Sequence, residues 1–146
     1  MRIYVEVDLQ GETNYTSLSA LVDTGSELSL IPSSIATNIG AWYTTYQTNV
    51  VGVHGQSRTL PIVVANLYFP SLNSAGGEFP FAISDVEQEI IIGMDILRPL
   101  GITVDTKTGK LSIENEIWEA FKTLAAVGVF VWGGIKVLQK LSESNE

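Results

Sequence analysis

The chain has 146 residues and 45% hydrophobic content, which fits a single domain with a packed core. Its formal net charge of −8 disfavours a nucleic-acid partner, because phosphate binders need clustered cations. With no cysteine and one histidine, disulfides, thiolate nucleophiles, cysteine-bound zinc and multi-histidine metal sites are excluded, and we expect neither a metal nor a cofactor.

The first elements predict a hairpin that leads into a polar loop. Residues 3–9 alternate apolar and polar side chains, and residues 15–22 form a second strand-like segment. A short apolar run at 28–31 stops at Pro32, and a short helix at 34–39 ends at Gly40. Strand-like alternation from the first residues predicts no signal peptide, so we expect a cytoplasmic protein.

Strand signals continue to residue 114. Residues 44–53 and 56–68 are rich in strand-forming side chains around glycines 52 and 55, which predicts a hairpin. The later predicted elements are strands at 79–83 and 89–93, a short helix at 95–100, and a hairpin of 101–105 with 110–113. Residues 1–114 are therefore predicted to form one mainly β domain.

The remaining segment, 115–146, has a different character. Residues 116–141 are predicted as one apolar helix, because residues 123–135 carry no charge and Lys122 and Lys136 flank them. Three interpretations remain open: a membrane anchor through residues 117–138, a membrane-surface helix, or a helix that packs on the domain or on its dimer mate.

The string Ala-Leu-Val-Asp-Thr-Gly-Ser, residues 20–26, is the strongest chemical signal. A carboxylate within so much apolar sequence needs hydrogen-bond partners, and Gly25 allows the backbone to approach Asp23 closely. The chain contains its own comparison, since Val-Asp-Thr recurs at 104–106 but is followed by Lys107. Asp105 is therefore interpreted as a turn residue.

A second string, Ile-Ile-Ile-Gly-Met-Asp-Ile-Leu at 90–97, follows the glycine-bounded hairpin. With the first string and in this order, it resembles the retropepsin-like aspartic proteases, single-domain dimeric relatives of pepsin. These motifs are nearer to those of cellular Ddi-like and bacterial-type members than to those of retroviral members. The resemblance covers residues 1–114. It implies a closed β-barrel with a flap hairpin and one or two short helices.

The resemblance also implies roles within the first string. Asp23 is the expected catalytic residue, Thr24 is expected to hydrogen-bond across the dimer axis, and Gly25 is expected to lie beside the substrate backbone. Ser26 would add a hydroxyl near the carboxylate, which favours the ionised form and a lower pH optimum. Glu27 stands where the family often has aspartate, and it is a candidate for binding the substrate backbone.

The flap is expected at residues 49–58, and its tip would contact the substrate. The tip residues are Gly52, Val53, His54 and Gly55. For His54 there is an alternative interpretation, an exposed loop histidine without a substrate role. Gly93 is expected to pack against the Asp23 loop, and Ile92 is expected to be a structural residue of the core. Asp95 is interpreted as a structural or capping residue.

The predicted function is an aspartic endopeptidase that cleaves an extended polypeptide. Two facing carboxylates must share one proton, but the sequence contains a single Asp-Thr-Gly string, so the second Asp23 is expected from another copy in a homodimer. The alternatives are a non-catalytic dimerisation or peptide-binding module of the same fold, and a membrane-tethered structural subunit.

Overall fold

The strands of residues 3–92 form one sheet that closes on itself. The structure, a computed structural model, describes residues 2–51, 55, 57–126, 129–132 and 135–138. The strands of this sheet are β1 (Ile3–Gln10), β2 (Tyr15–Val22), β3 (Leu30–Pro32), β4 (Trp42–Val51), β5 (Ser57–Phe69), β6 (Ala75–Ser84) and β7 (Ile91–Ile92). Their order is β1-β2-β7-β3-β6-β5-β4, and β1 also pairs with β5. Six strands therefore form a closed barrel, with β4 added outside β5, as predicted from the resemblance.

Short helices and a second hairpin complete the described domain. They are α1 (Ser33–Ile39), a 3₁₀ turn at Pro70–Leu72, α2 (Met94–Leu100), β8 (Ile102–Asp105), β9 (Lys110–Ile113) and α3 (Asn115–Ala126). Glycines end the first two helices, since Gly40 and Gly101 take left-handed backbone angles, with φ of 69° and 74°. Both helix ends lie where the sequence predicted them.

The core fills the inside of the barrel. Along β1 the alternation predicted from the sequence buries Val7 and Leu9 completely, and Phe69 and Phe81 from β5 and β6 are also fully buried. Burying such side chains removes apolar surface from water, which is the main favourable contribution to folding. The packed barrel supports the loop that follows β2.

The middle of the sheet fixes the position of that loop. β2 and β7 pair in parallel through Leu21 with Ile91 and Val22 with Ile92, and Leu30 of β3 pairs with Ile91 on the other side. β2, β7 and β3 are thus neighbours, although β7 is far away in sequence. The connection from β2 to β3 must pass over the end of β7.

One predicted strand is longer than expected. The apolar run at 28–31 overlaps β3, which spans Leu30–Pro32. The strand predicted at 79–83 begins earlier, because β6 starts at Ala75. There Gly76 and Gly77 pair with Tyr68 and Leu67 of β5.

The β4–β5 hairpin has the predicted arms. The two strands pair antiparallel as far as Val51 with Ser57. Of the predicted tip, Gly52, Val53 and His54 lie outside the described residues. Gly55 is described, is exposed and has a φ of 78°.

α3 packs on the barrel through its aromatic side chains. The Phe121 ring stacks on Phe79 with 5.4 Å between ring centroids, and Trp118 stacks on Phe121 at 5.9 Å. At the start of the helix, a Cβ added to Gly101 would lie 2.7 Å from Cβ of Ile117, so the two segments touch closely. This agrees with the packing interpretation for this part of the segment, while the domain boundary at 114 stays a prediction.

The single helix predicted over residues 116–141 was wrong. α3 ends at Ala126, and β10 (Val129–Trp132) and β11 (Ile135–Leu138) pair antiparallel, with Trp132 opposite Ile135. β-Branched and aromatic residues dominate β10, and the sequence Gly-Gly between the strands is typical of a two-residue hairpin turn. The uncharged run was read as helical although it contains this hairpin signal.

A membrane anchor through residues 117–138, one of the three interpretations of this segment, is not supported. Within the described part of the chain, no helix has both the length and the apolar character needed to cross a bilayer.

Candidate active site

Asp23 lies at the point where β2 ends and the chain turns away from the sheet. Its main-chain N–H donates to the carbonyl oxygen of Ile92 at 2.9 Å, and its own carbonyl oxygen accepts from the N–H of Ser26 at 3.1 Å. Its Oδ1 accepts from the N–H of Gly25 at 3.0 Å. The side chain is exposed, so the carboxylate faces solvent while its backbone is held by the barrel. We call residues 23–29 the Asp23 loop.

Thr24 and Gly25 are also exposed in the single chain. A Cβ on Gly25 would lie 3.3 Å from Oδ1 of Asp23, which is tight enough to disturb the amide that binds this oxygen. Glycine therefore suits this position for the reason predicted from the sequence. The cross-axis hydrogen bond predicted for Thr24 requires a second copy of the chain and stays a prediction.

Ser26 has its hydroxyl directed into the loop. Its Oγ donates to the carbonyl oxygen of Leu28 at 2.7 Å and accepts from the N–H of Leu28 at 3.3 Å. The hydroxyl proton is therefore used within the loop. This geometry gives no support to the expectation that Ser26 favours the ionised form of Asp23.

Gly93 fits between the loop and the start of α2. A Cβ there would lie 2.8 Å from the carbonyl oxygens of both Ser26 and Leu28, so a larger residue would force the two segments apart. The next residue, Met94, donates its N–H to the carbonyl oxygen of Ser26 at 2.8 Å. The contact between Gly93 and the loop agrees with the role predicted for this glycine.

Asp95 and Ser29 form a hydrogen-bonded pair beneath the loop. Ser29 is fully buried; it donates its Oγ to Oδ1 of Asp95 at 2.6 Å and its N–H to Oδ2 at 3.0 Å. Its Oγ also accepts from the N–H of Gly93 at 2.8 Å. Burial raises the pKa of the Asp95 carboxyl above its usual 3.8, and the two hydrogen bonds from Ser29 oppose that rise.

The sequence interpretation of Asp95 as a structural residue agrees with these contacts, but Ser29 was missed. The only signal for Ser29 was a small polar residue between Leu28 and Leu30. A buried hydroxyl needs partners, and its partners are more than sixty residues away in sequence.

Glu27 carries a second, exposed carboxylate on the loop. Its Oε1 lies 3.5 Å from Nη1 of Arg98 on α2, and both side chains are largely exposed. An exposed ion pair of this kind contributes little to stability, but it restricts where the carboxylate can point. Arg98 was not singled out from the sequence, because nothing local links it to Glu27.

Asp105 is a turn residue, as predicted. Its Oδ1 accepts from the N–H of Lys107 at 2.9 Å, closing the turn between β8 and β9. The local hydrogen bond resembles that between Gly25 and Asp23. What differs is the setting, since Asp105 lies in a polar hairpin and Asp23 follows a buried strand.

The described residues do not place the flap tip over Asp23. Gly52, Val53 and His54 lie outside the described residues. A Cβ added to Gly55 would meet nothing within 4 Å in the described part of the chain, its own residue and chain neighbours left aside. Within the same described ranges, no group of three or more histidine or acidic side chains is placed to hold a metal ion.

A family model described as aspartyl protease matches residues 5–96, which is more than half of the chain. The chain belongs to the aspartyl protease family. The matched segment of this aspartyl protease includes the Asp23 loop, β7 and the first half of α2. No match was found among curated proteins.

Solved structures show the same fold. EIAV protease complexed with the inhibitor HBY-793 is 23% identical, with a TM-score of 0.57 over 72% of this chain and 93% of that one. The retroviral protease-like domain of Ddi1 from Leishmania major is 20% identical, with a TM-score of 0.53 over 79% and 91% of the two chains. The fold of this aspartyl protease is thus retropepsin-like, as predicted.

Proposed function

We propose that the chain is an aspartic endopeptidase that works as a homodimer, with Asp23 of each copy forming the catalytic pair. The observation that carries this proposal is the setting of Asp23. Its carboxylate is exposed at the end of a buried strand, and its Oδ1 accepts the amide of Gly25. The family membership of residues 5–96 supports the same chemistry.

Two facing carboxylates provide both an acid and a base. Adjacent like charges cannot both ionise cheaply, so the pair holds one proton between them. The ionised carboxylate takes a proton from water, whose oxygen attacks the scissile carbonyl carbon, while the protonated carboxyl donates to the carbonyl oxygen. When the C–N bond breaks, the leaving amine takes a proton from one carboxyl group of the pair. A hydroxyl of the tetrahedral intermediate gives its proton to the other carboxylate, so the pair again holds one proton.

The homodimer follows from the number of motifs. The sequence holds one Asp-Thr-Gly string, so one chain supplies half of the pair. A two-fold axis beside Asp23 would bring the same residue of two copies together. Asp23, Thr24 and Gly25 are all exposed in the single chain, which leaves them accessible to a second copy.

The substrate would be an extended polypeptide bound between the Asp23 loops and the two β4–β5 hairpins. Such a peptide can hydrogen-bond through its backbone as an added strand. Gly25 would lie beside this backbone, and Glu27, oriented by Arg98, would bind one of its N–H groups. The tip residues Gly52, Val53, His54 and Gly55 stay candidates for contacts from the other side.

The decisive experiment measures cleavage of a mixed peptide library between about pH 4 and 7, with wild type beside Asp23→Asn. We expect wild type to cleave and Asp23→Asn to be inactive, because the amide cannot act as a base. Asp105→Asn is the matched control, since it changes the same group in the look-alike sequence, and it should keep full activity.

Mixing the two proteins tests the homodimer. If subunits exchange freely, an equal mixture of wild type and Asp23→Asn contains about one quarter wild-type dimers, and mixed dimers lack half of the catalytic pair. Activity should therefore fall to about one quarter of that of the same total amount of wild type. A monomeric protein would keep half of the activity, which would exclude a pair shared between copies. Cleavage by Asp23→Asn at the wild-type rate would exclude Asp23 as the catalytic residue, and a dimer that binds peptides without cleaving them would favour the non-catalytic module.

A further inference from the structure

We propose that Asp95 is a positioning residue for the catalytic carboxylate of Asp23, acting through the buried hydroxyl and amide of Ser29. The inference rests on the proposed function and assigns part of its catalytic power to a residue that does not touch substrate. It goes beyond a capping role, because Asp95 also accepts two hydrogen bonds from Ser29 of the Asp23 loop.

The Asp23 loop is fastened to four successive residues, from Ile92 to Asp95. Ile92 accepts from the N–H of Asp23 at 2.9 Å, and Met94 donates to the carbonyl oxygen of Ser26 at 2.8 Å. Gly93 and Asp95 both bind Ser29. The loop is therefore held at its first residue, at its middle and at its last residue by one short stretch of chain.

The contact with Asp95 holds the last residue of the loop. Ser29 is fully buried, and Asp95 is the acceptor for both its N–H and its hydroxyl. Without the carboxylate, two buried donors lose their acceptor, which is unfavourable enough to make the loop rearrange toward water or other partners. Rearrangement at Ser29 moves the segment that begins with Asp23.

The position of the loop matters because Asp23 depends on it for a hydrogen bond. Oδ1 of Asp23 accepts from the N–H of Gly25, two residues further along the same loop. A bond from an amide favours the ionised carboxylate. Loosening the loop would weaken this bond and misplace the carboxylate relative to its mate, and a misplacement of about 1 Å can cost on the order of 100-fold in rate.

The test compares Asp95→Ala, Ser29→Ala, the double variant and Asp95→Asn in steady-state cleavage, with rates given per folded dimer well below the unfolding temperature. We expect each alanine variant to lower kcat by about 10- to 100-fold, with KM changed less than about threefold. The double variant should be about as active as Asp95→Ala, because Asp95→Ala already removes both bonds from Ser29. Asp95→Asn keeps an acceptor oxygen and should recover most of kcat.

The split between kcat and KM separates positioning from mere stability. Because rates are given per folded dimer, lower stability alone would leave both constants unchanged. A misplaced carboxylate lowers kcat in both Asp95→Ala and Ser29→Ala while substrate binding is kept. Ser29→Ala keeps Asp95, and both variants keep Glu27 and Arg98, the charged pair on the same loop and helix.

Separate results overturn the inference and the proposed function. If wild type cleaves and Asp23→Asn does not, yet Asp95→Ala keeps the wild-type kcat, the positioning role is wrong and the proposed function stands. A loss of kcat in Asp95→Ala that is not recovered in Asp95→Asn also overturns positioning. If wild type itself cleaves nothing, the proposed function fails first.

Discussion

The N–H of Asp23 donates to the carbonyl oxygen of Ile92 at 2.9 Å, across two strands whose sequence positions differ by almost seventy residues. This bond continues the parallel pairing of β2 with β7 by one step beyond Val22 and Ile92. Asp23 therefore leaves the sheet at a fixed place, beside the end of β7 that leads into α2. Changes on either side of this bond should affect the same loop.

Gly93→Ala should disrupt the loop from below. Its Cβ would lie 2.8 Å from two backbone carbonyl oxygens, and backbone cannot move aside as a side-chain end can. We expect a loss of about 1–3 kcal/mol in the free energy of unfolding, together with a lower kcat. Urea unfolding and peptide cleavage measure the two effects.

Gly77→Ala is the matched control for that change. A Cβ at Gly77 would meet only the ring edge of Phe121, at 3.1 Å. This variant should lose less stability and keep kcat, since its Cβ would meet the end of a side chain and no atom of the Asp23 loop. Equal losses of kcat in the two variants would show that packing near Gly93 has no special link to the site.

Asp95 should make stability depend on pH in a defined direction. Burial raises its folded pKa above the usual 3.8, so folding favours the protonated carboxyl. Its contribution is fully present below that unfolded value and is lost as the pH rises through the folded pKa. The free energy of unfolding of wild type minus that of Asp95→Asn should therefore fall between about pH 3 and 7.

Urea unfolding of both proteins at several pH values checks this trend. Asp105→Asn, at an exposed turn, serves as the control and should not reproduce it. A difference that stays constant, or grows with rising pH, would contradict the burial of Asp95 as the controlling factor.

Phe121→Ala should loosen α3 from the barrel. The ring stacks on Phe79 at 5.4 Å and is half-buried, so we expect a loss of about 1–3 kcal/mol in the free energy of unfolding. Leu124→Ala on the same helix should lose less, because that side chain is 46% exposed. A larger loss for Leu124 would mean that another surface covers this part of α3.

Glu27→Gln should act on substrate binding more than on folding. The pair with Arg98 is exposed, with 3.5 Å between the charged atoms, so its loss should change the free energy of unfolding by less than about 1 kcal/mol. If Glu27 binds the substrate backbone, KM should rise several-fold while kcat changes little. Arg98→Ala should give a smaller rise in KM, and an unchanged KM in Glu27→Gln would exclude this contact.

The elements of the barrel could be predicted from the sequence, because their signals come from residues that are close together in the chain. Alternation along residues 3–9 predicted β1, and the glycine at 40 predicted where α1 ends. The tail shows the opposite error, since the hairpin signal around Gly133 and Gly134 was present but was outweighed by a long uncharged run. The hairpin signal in the tail was therefore local, but the uncharged run was given more weight than that signal.

The sequence by itself determined the chemical half of the site. Asp23, Gly25 and the apolar strand before them are adjacent in the chain, so their proximity can be predicted without knowledge of the fold. Only the tertiary structure decided what holds that half in place. Ser29, Gly93 and Asp95 meet because β3 and β7 are neighbours in the barrel, and a buried hydroxyl finds its acceptors across space and not along the chain.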